Sequence, residues 1–484
     1  MTTTIKDGTS NTSEANEQIA VWVGLDWADK EHSVSVYEVG TGRSDRYTLK
    51  HTAEALQEWL SRLRTQYQGS KVAVVLEQSR GPVLYALMSC EFVVLYPVNP
   101  QSLANYRKTF QTSGSKNDPG DAELLQEMVR KHPDRFRAWV AEDADTRSLQ
   151  LLVEGRRKLV NQTTRLTNRL TSHLKNYYPQ ALEWAGELNT RQACDFLMRW
   201  PTLQSLQQAR PATLKKFYLS HGRPRTATLN ERLKQISQAV ALTDDRAVVL
   251  AGSMMVKALV AQIQPLIIAV EKYDDEIHRL FQLHPDREVF ESFTGAGPVL
   301  APRLLAAMGA DRDRWQSAAE IQQLSGVAPV TEQSGRQHWV HRRWACPKFL
   351  LQTFHEFAKQ TIVWCDWAKA YYEQQRERGA GHHAAVRSLA FKWIRIVFRC
   401  WKDRVAYDEN LYLRGLERRG SKLAARTQLV RQAKELRRRQ RSAQSVENLL
   451  PNLHMLDKKP QMSLRFSFPC LGTELRRTQR SLQS

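Results

Sequence analysis

The hydrophobic positions in the first third of the chain fall into short runs that predict a sheet with intervening helices. VWVGLDW is an apolar run that ends beside an acid, HSVSVYEV alternates apolar and polar positions, and DRYTLKH follows the turn TGRS. Alternation with period two is typical of strands. KVAVVLEQ and FVVLYPV add apolar runs among helical patterns. The predicted order is three antiparallel strands, then helix, strand, helix, strand and helix, which is that of a ribonuclease H-like α/β domain over residues 19–140.

The middle of the chain, residues 141–287, contains two apolar seams at helical spacing. The first is formed by Leu149, Leu152, Leu159, Leu166, Leu170 and Leu174, and the second by Ile263, Leu266, Val270, Tyr273, Ile277 and Leu280. Side chains three and four residues apart lie on one face of a helix. The pattern predicts a helical, coiled-coil linker, either a hairpin within one chain or a zipper between two. On its basic flank, Arg156 and Arg157 are predicted to contact nucleic acid.

Residues 288–415 are predicted to form a mostly helical third unit. It opens with FTGAGPVLAPRLLAAMG, in which Gly295 and Gly297 form a turn before a helix. This arrangement resembles a helix-hairpin-helix, whose backbone N–H groups hold a DNA phosphate without reading sequence. Both glycines are therefore predicted to contact nucleic acid. The aromatic runs TIVWCDWAKAYYEQQ and FKWIRIVFRCW are interpreted as helical core.

The two ends of the chain are predicted to lack a core, and the C-terminal end is strongly basic. Residues 1–18 are polar and are expected to be disordered. Residues 415–484 contain 16 Lys and Arg against 5 Asp and Glu, which is more than half of the net charge of +21. Residues 416–484 are accordingly predicted to be a disordered basic tail. A charge of this size indicates a polyanionic partner, and nucleic acid is the leading class.

Neither a membrane nor a disulfide framework is expected. The N-terminus lacks the features of a signal peptide, and the most apolar long run is interrupted by Lys257 and Pro265. Such a run is typical of a buried or coiled-coil helix. The six cysteines include no CxxC pair, which indicates neither a zinc ribbon nor a disulfide framework. We therefore expect a cytoplasmic protein.

Four acids are predicted to meet at one edge of the sheet. Asp26 ends the first strand and Glu77 ends the fourth, and these strands are neighbours in a ribonuclease H-like order. Asp118 and Asp121 begin the helix after the last strand, on one face of it. Such a cluster is unfavourable unless a cation neutralises it, and oxygen ligands select Mg²⁺ or Mn²⁺. The alternative is that the two helix acids only cap its first turn. Lys116, just before them, is predicted to contact nucleic acid.

A serine in the third unit has two interpretations. Ser334 precedes Gly335 in a polar turn, and basic residues follow it: Arg336, His338, His341, Arg342 and Arg343. The simpler interpretation is an ordinary hairpin turn. The other is a nucleophile whose phosphorane-like transition state the neighbouring cations stabilise. On either interpretation the three arginines are predicted to contact nucleic acid.

Together these motifs resemble the DEDD transposases of the insertion-sequence one-ten family. VGLDWADKEHSVSVYEV, VVLEQSRGPVLYAL and VNPQSLANYRKTFQTSGSKNDPGDAELL are similar to the N-terminal half of that family. FESFTGAGPVLAPRLLAAMG and IQQLSGVAPVTEQSG are similar to its C-terminal transposase domain. The resemblance implies a RuvC-like fold in which Asp26, Glu77, Asp118 and Asp121 bind the metal. It also implies that Ser334 attacks a DNA phosphate and becomes covalently linked to it.

The resemblance further implies the partners. Family members use a structured noncoding bridge RNA that pairs with donor and target double-stranded DNA. They act as dimers that join into tetramers, in which the tetrad of one subunit completes a site with the serine of another. We therefore expect an RNA-guided DNA transposase, a serine recombinase that moves its own insertion sequence. Two other functions stay open: a RuvC-like endonuclease or junction resolvase in which water attacks, and a noncatalytic nucleic-acid-binding protein.

Overall fold

The computed structural model describes residues 19–77, 80–110, 118–222 and 224–447, with side chains for all of these except 118–119 and 441–447. The chain divides into two compact units, residues 1–143 and 144–484. The predictions for residues 1–18, Lys116 and residues 448–484 lie outside the described residues.

The N-terminal unit is built on a five-stranded sheet. Its strands are β1 (Ile19–Asp26), β2 (Glu31–Glu38), β3 (Ser44–Lys50), β4 (Lys71–Leu76) and β5 (Val93–Pro97). Their order in the sheet is β3-β2-β1-β4-β5, with antiparallel pairing among the first three strands and parallel pairing of β4 with β1 and β5. The prediction that the first strand lies between the second and the fourth is confirmed.

Helices cover both faces of this sheet. They are α1 (Ala53–Gln66), α2 (Pro82–Leu87), α3 (Pro100–Phe110) and α4 (Asp118–Lys131), followed by a 3₁₀ turn at Pro133–Arg135. On one face Leu25 and Val74 pack with Trp59 of α1. On the other face Trp22 packs with Leu125 of α4. Successive side chains of a strand point to opposite faces, and the two separate cores follow from this alternation.

Two long helices form the centre of the C-terminal unit. They are α5 (Ala144–Tyr177) and α11 (Arg246–Leu283), and between them lie α6 (Ala181–Trp184), α7 (Arg191–Arg199), α8 (Leu203–Gln207), α9 (Pro211–His221) and α10 (Thr226–Gln238). The start of α5 meets the end of α11 where Thr146 contacts His284, and its end meets the start of α11 where Tyr177 lies against Gly252. The two apolar seams therefore pair in antiparallel orientation within the chain.

The rest of this unit is mostly helical. It comprises α12 (Arg287–Glu291), α13 (Gly297–Met308), α14 (Ala318–Leu324), the hairpin strands β6 (Val330–Ser334) and β7 (Gln337–His341), α15 (Lys348–Trp364), α16 (Asp366–Glu377), α17 (His382–Asp403), α18 (Glu409–Arg418) and α19 (Lys422–Glu447). Its core is aromatic, because Trp367, Trp393 and Trp401 are fully buried together with Phe293 and Phe357. The interpretation of the two aromatic runs as helical core is confirmed.

The prediction of a disordered tail from residue 416 is corrected over α19, which is a helix of 26 residues. Leu423 and Ala424 at its start are buried in the aromatic core. Farther along, Arg431 and Lys434 both lie within 3.3 Å of Asp366 on α16. The basic composition suggested a solvated chain, but Arg, Lys, Gln, Ala and Leu are also strong helix formers.

Helix α11 is, by length and composition, apolar enough to cross a membrane. A core helix passes the same test, and α11 contributes Val256, Leu259, Val260 and Ile263 to a buried cluster with the small helices between α5 and α11. The expectation that the protein has no membrane partner stays a prediction.

Candidate functional site

The strand ladder brings Asp26 and Glu77 to adjacent positions. In the parallel pairing of β1 with β4, Leu25 lies opposite Leu76. Asp26 directly follows Leu25, Glu77 directly follows Leu76, and both acids are half-buried. The two carboxylates therefore leave the sheet at the same edge, as the sequence predicted.

Alternation along β1 directs Asp26 towards α4. Val23 and Leu25 point into the core beneath α1, whereas Trp22 faces α4. Gly24 and Asp26 lie on the same face of β1 as Trp22, because side chains alternate along a strand. At Gly24 the helix lies directly on the strand, since a Cβ atom there would be 1.8 Å from the carbonyl oxygen of Ala122.

The N-terminus of α4 thereby reaches the edge where β1 ends. Trp22 shares its cluster with Leu125 and Met128, whereas Gly24 meets Ala122. The helix therefore runs antiparallel to β1. One further turn towards its start lies Asp118, the first residue of the helix.

Asp121 is buried and already paired with a cation. Its side chain is 3% exposed, and its Oδ1 accepts a hydrogen bond from Nε of Arg107 at 2.7 Å and lies 2.6 Å from Nη2 of the same guanidinium. Arg107 belongs to α3, which precedes the polar loop before α4. The guanidinium fixes the orientation of this carboxylate at the edge of the sheet, much as an outer-shell residue orients a metal ligand.

The described side chains include no group of three or more His, Cys, Asp or Glu residues placed to hold a metal ion. The side chain of Asp118 is outside that description, and Asp121 is turned to Arg107. The chemistry of the donors nevertheless fits a hard divalent cation, because Asp26, Glu77, Asp118 and Asp121 offer only carboxylate oxygens.

A neutral histidine ties the loop after Asp26 to β2. The ring of His32 is fully buried, and its Nδ1 accepts a hydrogen bond from the backbone N–H of Ala28 at 3.2 Å. The proton therefore lies on Nε2, which is 2.9 Å from Nδ1 of His51 and donates to it. Burial, and secondly the neighbouring His51, lower the pKa of His32, so the neutral form that this network needs is favoured.

Ser334 ends the first strand of an isolated hairpin. It lies opposite Gln337, so the turn consists of Gly335 and Arg336. Gly335 has φ +56°, which a two-residue hairpin requires and glycine adopts at little cost. Ser334 is exposed, and its hydroxyl has no hydrogen-bond partner among the described residues.

The base of the hairpin is packed closely against the segment that follows it. A Cβ atom at Gly326 would lie 2.4 Å from Sγ of Cys346. Beyond the hairpin, the guanidinium of Arg342 lies 4.4 Å from the ring centre of Trp344. Arg336 and Arg343 extend the basic segment on either side of β7.

Further positive charge surrounds this segment. Burial, followed by the neighbouring His383 and Arg387, lowers the pKa of His355 to about 4. Burial and then Arg342 also lower the pKa of Arg387. Both pKa values are lowered mainly by burial, and the secondary cause is the proximity of other basic groups on α17 and after the hairpin.

The two turn glycines before α13 both have left-handed backbone angles, φ +86° at Gly295 and +55° at Gly297. Gly295 packs against the backbone of Thr361 on α15, whereas nothing lies within 4 Å of a Cβ atom at Gly297. The left-handed backbone conformation explains why glycine occurs at both positions. Their contact with nucleic acid stays a prediction.

Arg156 and Arg157 are occupied by ion pairs between helices. Nη2 of Arg156 donates to Oδ2 of Asp274 on α11 at 2.9 Å. Nη2 of Arg157 lies 2.6 Å from Oε1 of Glu356 on α15, and the buried Arg303 pairs with the same carboxylate. A phosphate contact at either residue would have to replace these pairs, which the sequence pattern did not reveal.

Comparison with known proteins gives two family matches. Residues 23–179 match the transposase family DEDD_Tnp_IS110, and residues 287–373 match the family described as "Transposase IS116/IS110/IS902 family". The first match contains the four acids, and the second contains Ser334 and the glycine turn. The chain belongs to the IS110 family of insertion-sequence transposases.

Two relatives resemble this transposase over about four fifths of its length, and a third resembles it over less than half. The "Mini-circle putative transposase for IS117" of Streptomyces coelicolor is 28% identical over 400 residues, which is 81% of this chain and 96% of the relative. The "Insertion element IS900 uncharacterized 42 kDa protein" of Mycobacterium paratuberculosis is 24% identical over 80% of this chain and 97% of its own. The "Putative transposase y4uE" of Sinorhizobium fredii is 29% identical over 42% of this chain and 58% of its own.

Sequence reasoning missed two residues of the transposase's acidic edge, Gly24 and Arg107. A signal for Gly24 existed, because a glycine inside a strand often marks close approach of another backbone. No local pattern identifies Arg107 as the partner of Asp121, since the two residues meet only when α3 and α4 pack.

Gly24→Ala is expected to lower the free energy of unfolding of the N-terminal unit by about 3 kcal/mol, because the methyl group would collide with the backbone of α4. Chemical denaturation measures the change. Gly120→Ala is the matched control, since nothing lies within 4 Å of a Cβ atom there. Equal stability of the two variants would contradict the close contact.

Arg107→Ala is expected to cost about 3–5 kcal/mol of unfolding free energy, because it leaves a buried carboxylate without its counter-charge. The neighbouring exposed residue provides the control: Lys108→Ala should change stability by less than about 0.5 kcal/mol. Both variants are compared by denaturant titration at one pH. The ion pair would be irrelevant to stability if the two curves coincided.

Proposed function

We propose that this transposase cuts and rejoins DNA through a covalent phosphoserine intermediate under the guidance of an RNA. The observation that carries the proposal is that one chain contains two features, one in each of the two regions that match the family. One is the edge at which Asp26 and Glu77 follow paired strand residues beneath the start of α4. The other is an exposed serine at the turn of a basic hairpin.

The sheet order supports a RuvC-like, ribonuclease H-like assignment for the N-terminal unit. Three antiparallel strands lead into two parallel ones, and the central β1 and β4 carry the first two acids at their ends. We propose that Asp26, Glu77, Asp118 and Asp121 hold Mg²⁺ or Mn²⁺. When bound, such an ion polarises a phosphate and neutralises its developing charge.

Ser334 supplies the nucleophile in this proposal. Its hydroxyl gives up its proton and its oxygen forms a bond to phosphorus, while the bond from phosphorus to one DNA oxygen breaks. The departing oxygen takes up a proton, so that strand ends in a hydroxyl and the step releases no net proton. The phosphoserine bond keeps the energy of the broken phosphodiester, so a second DNA hydroxyl can reverse the step without ATP. Arg336 and Arg342 would stabilise the additional negative charge of the transition state.

The partners follow from charge and from the family. A net charge of +21 favours polyanions, with affinity that falls as salt rises. We propose that a structured noncoding bridge RNA pairs with donor and target DNA, and that dimers assemble into tetramers in which the acids of one subunit act with the serine of another. Such an assembly would work in the cytoplasm, on the nucleoid.

A second candidate is a metal-dependent endonuclease or junction resolvase in which water attacks the phosphate. It is favoured by one observation: the Ser334 hydroxyl has no base within hydrogen-bond distance among the described residues. The nearest carboxylate on its face of the hairpin, Glu332, lies 3.4 Å from Nε2 of His341. The two candidates differ in whether protein becomes attached to DNA.

Incubation with DNA of the element's ends and Mg²⁺ is expected to yield a protein–DNA adduct that survives denaturing electrophoresis. Ser334→Ala should abolish the adduct because it removes the attacking oxygen. Asp26→Asn should abolish it while DNA binding persists. Thr331→Ala, on the opposite face of the same strand, is the control and should form the adduct normally. DNA cleavage that survives Ser334→Ala would establish the water mechanism instead.

Purification of the intact transposase from its host is expected to enrich one structured RNA encoded beside its gene, with loops complementary to the element's junctions. Sequencing of the co-purified RNA, with total cellular RNA as reference, measures the enrichment. Ser334→Ala should retain the same RNA because guidance precedes chemistry. Recovery of RNA in proportion to its cellular abundance would refute guidance.

A further inference from the structure

The hairpin that carries Ser334, β6 and β7 with their turn, also carries a large aromatic side chain that its own unit leaves half exposed. Trp339 of β7 is 48% exposed and belongs to none of the hydrophobic clusters formed by the described residues. An isolated exposed apolar residue is ordinary in itself. Trp339 is of interest because it lies close to Ser334 on the hairpin.

The register of the hairpin places Trp339 on the face of Ser334. Ser334 lies opposite Gln337, and Trp339 lies opposite Glu332. Residues opposite each other in an antiparallel pair share a face, and so do residues two apart on one strand. Ser334 and Trp339 are therefore diagonal neighbours, about 7–8 Å apart, a separation that a long aromatic side chain spans.

The charge around the hairpin selects a polyanion as the ligand of this face. Between residues 330 and 343 the chain carries Arg336, Arg342 and Arg343 and the single acid Glu332. Arg342 already stacks on Trp344, whereas Trp339 has no cation over its ring among the described residues. Its indole plane is thus available to a flat, uncharged group attached to an anionic backbone, which is the chemistry of a nucleotide.

We propose that Trp339 stacks on the base next to the phosphate that Ser334 attacks. The hairpin would then hold an unpaired nucleotide of the DNA, with the base on the indole and the neighbouring phosphate at the hydroxyl. This inference rests on the proposed role of Ser334, and it assigns Trp339 to substrate positioning. Base–aromatic stacking is tolerant of sequence, so Trp339 fixes where the strand lies without choosing its sequence.

The test places 2-aminopurine beside the cleaved phosphate, whose position the DNA sequence in the covalent adduct reveals. Binding is measured in a Ser334→Ala background with Mg²⁺, so that no cleavage occurs. Stacking on Trp339 is expected to change the probe's fluorescence on binding. Trp339→Phe should keep the signal, because an aromatic face remains. Trp339→Val should remove the signal and weaken binding by about tenfold.

Valine favours strands, so a loss in Trp339→Val does not come from a weakened hairpin. Val340→Ala is the matched control, because Val340 is 59% exposed on the opposite face of the same strand. The proposal is overturned if Trp339→Val keeps the signal and the affinity, or if Val340→Ala loses them equally. Failure of the proposed chemistry is read separately, because the wild type would then form no covalent adduct, or DNA cleavage would persist in Ser334→Ala.

Discussion

The approach of α4 to β1 at Gly24 is the constraint on which the acidic edge depends. The carbonyl of Ala122 occupies the space that any side chain at this position would need. That contact sets the height of α4 on the sheet and so brings its first turn to the end of β1. Arg107 then holds the buried carboxylate of Asp121, and His32 holds the loop beyond Asp26. The backbone contact, the ion pair and the histidine pair therefore fix three different segments around one edge of the sheet.

In the C-terminal unit, by contrast, the segment that carries Ser334 is not fixed by packing into the core. The aromatic core of this unit is buried, and α5 joins it through Leu149 and Val153 and through the ion pair of Arg157 with Glu356. The hairpin with Ser334 stands outside this core with both faces exposed. Its shape depends on a two-residue turn and strand pairing alone. Such an element leaves the hydroxyl of Ser334 exposed, and a molecule that bound there would complete its surroundings.

The sequence predicted features that depend on local pattern and failed where distant residues decide. Strand alternation and apolar runs were sufficient to find the sheet neighbours and the adjacent positions of Asp26 and Glu77. Helical seams identified α5 and α11 but not their pairing, because an intrachain hairpin and a zipper between chains have the same periodicity. The ion pairs of Arg156 and Arg157 could not be predicted, because their acidic partners lie far along the chain, and the contact of both arginines with nucleic acid stays a prediction. For α19, net charge suggested disorder, whereas helix propensity and the counter-charge of Asp366 prevail.

Helix α19 is held to α16 partly by ion pairs, so its attachment depends on which anions its cations contact. Beyond its buried first turn, α19 contacts α16 through the ion pair of Arg426 with Glu377 and through Arg431 and Lys434, which both face the carboxylate of Asp366. A strand of nucleic acid that recruits either cation competes directly with that carboxylate, and so do added salts. Binding of a polyanion to α19 would therefore weaken the contact between α19 and α16. If nucleic acid bound Arg431 and Lys434, the contacts of these two side chains with α16 would have to be given up for contacts to phosphate.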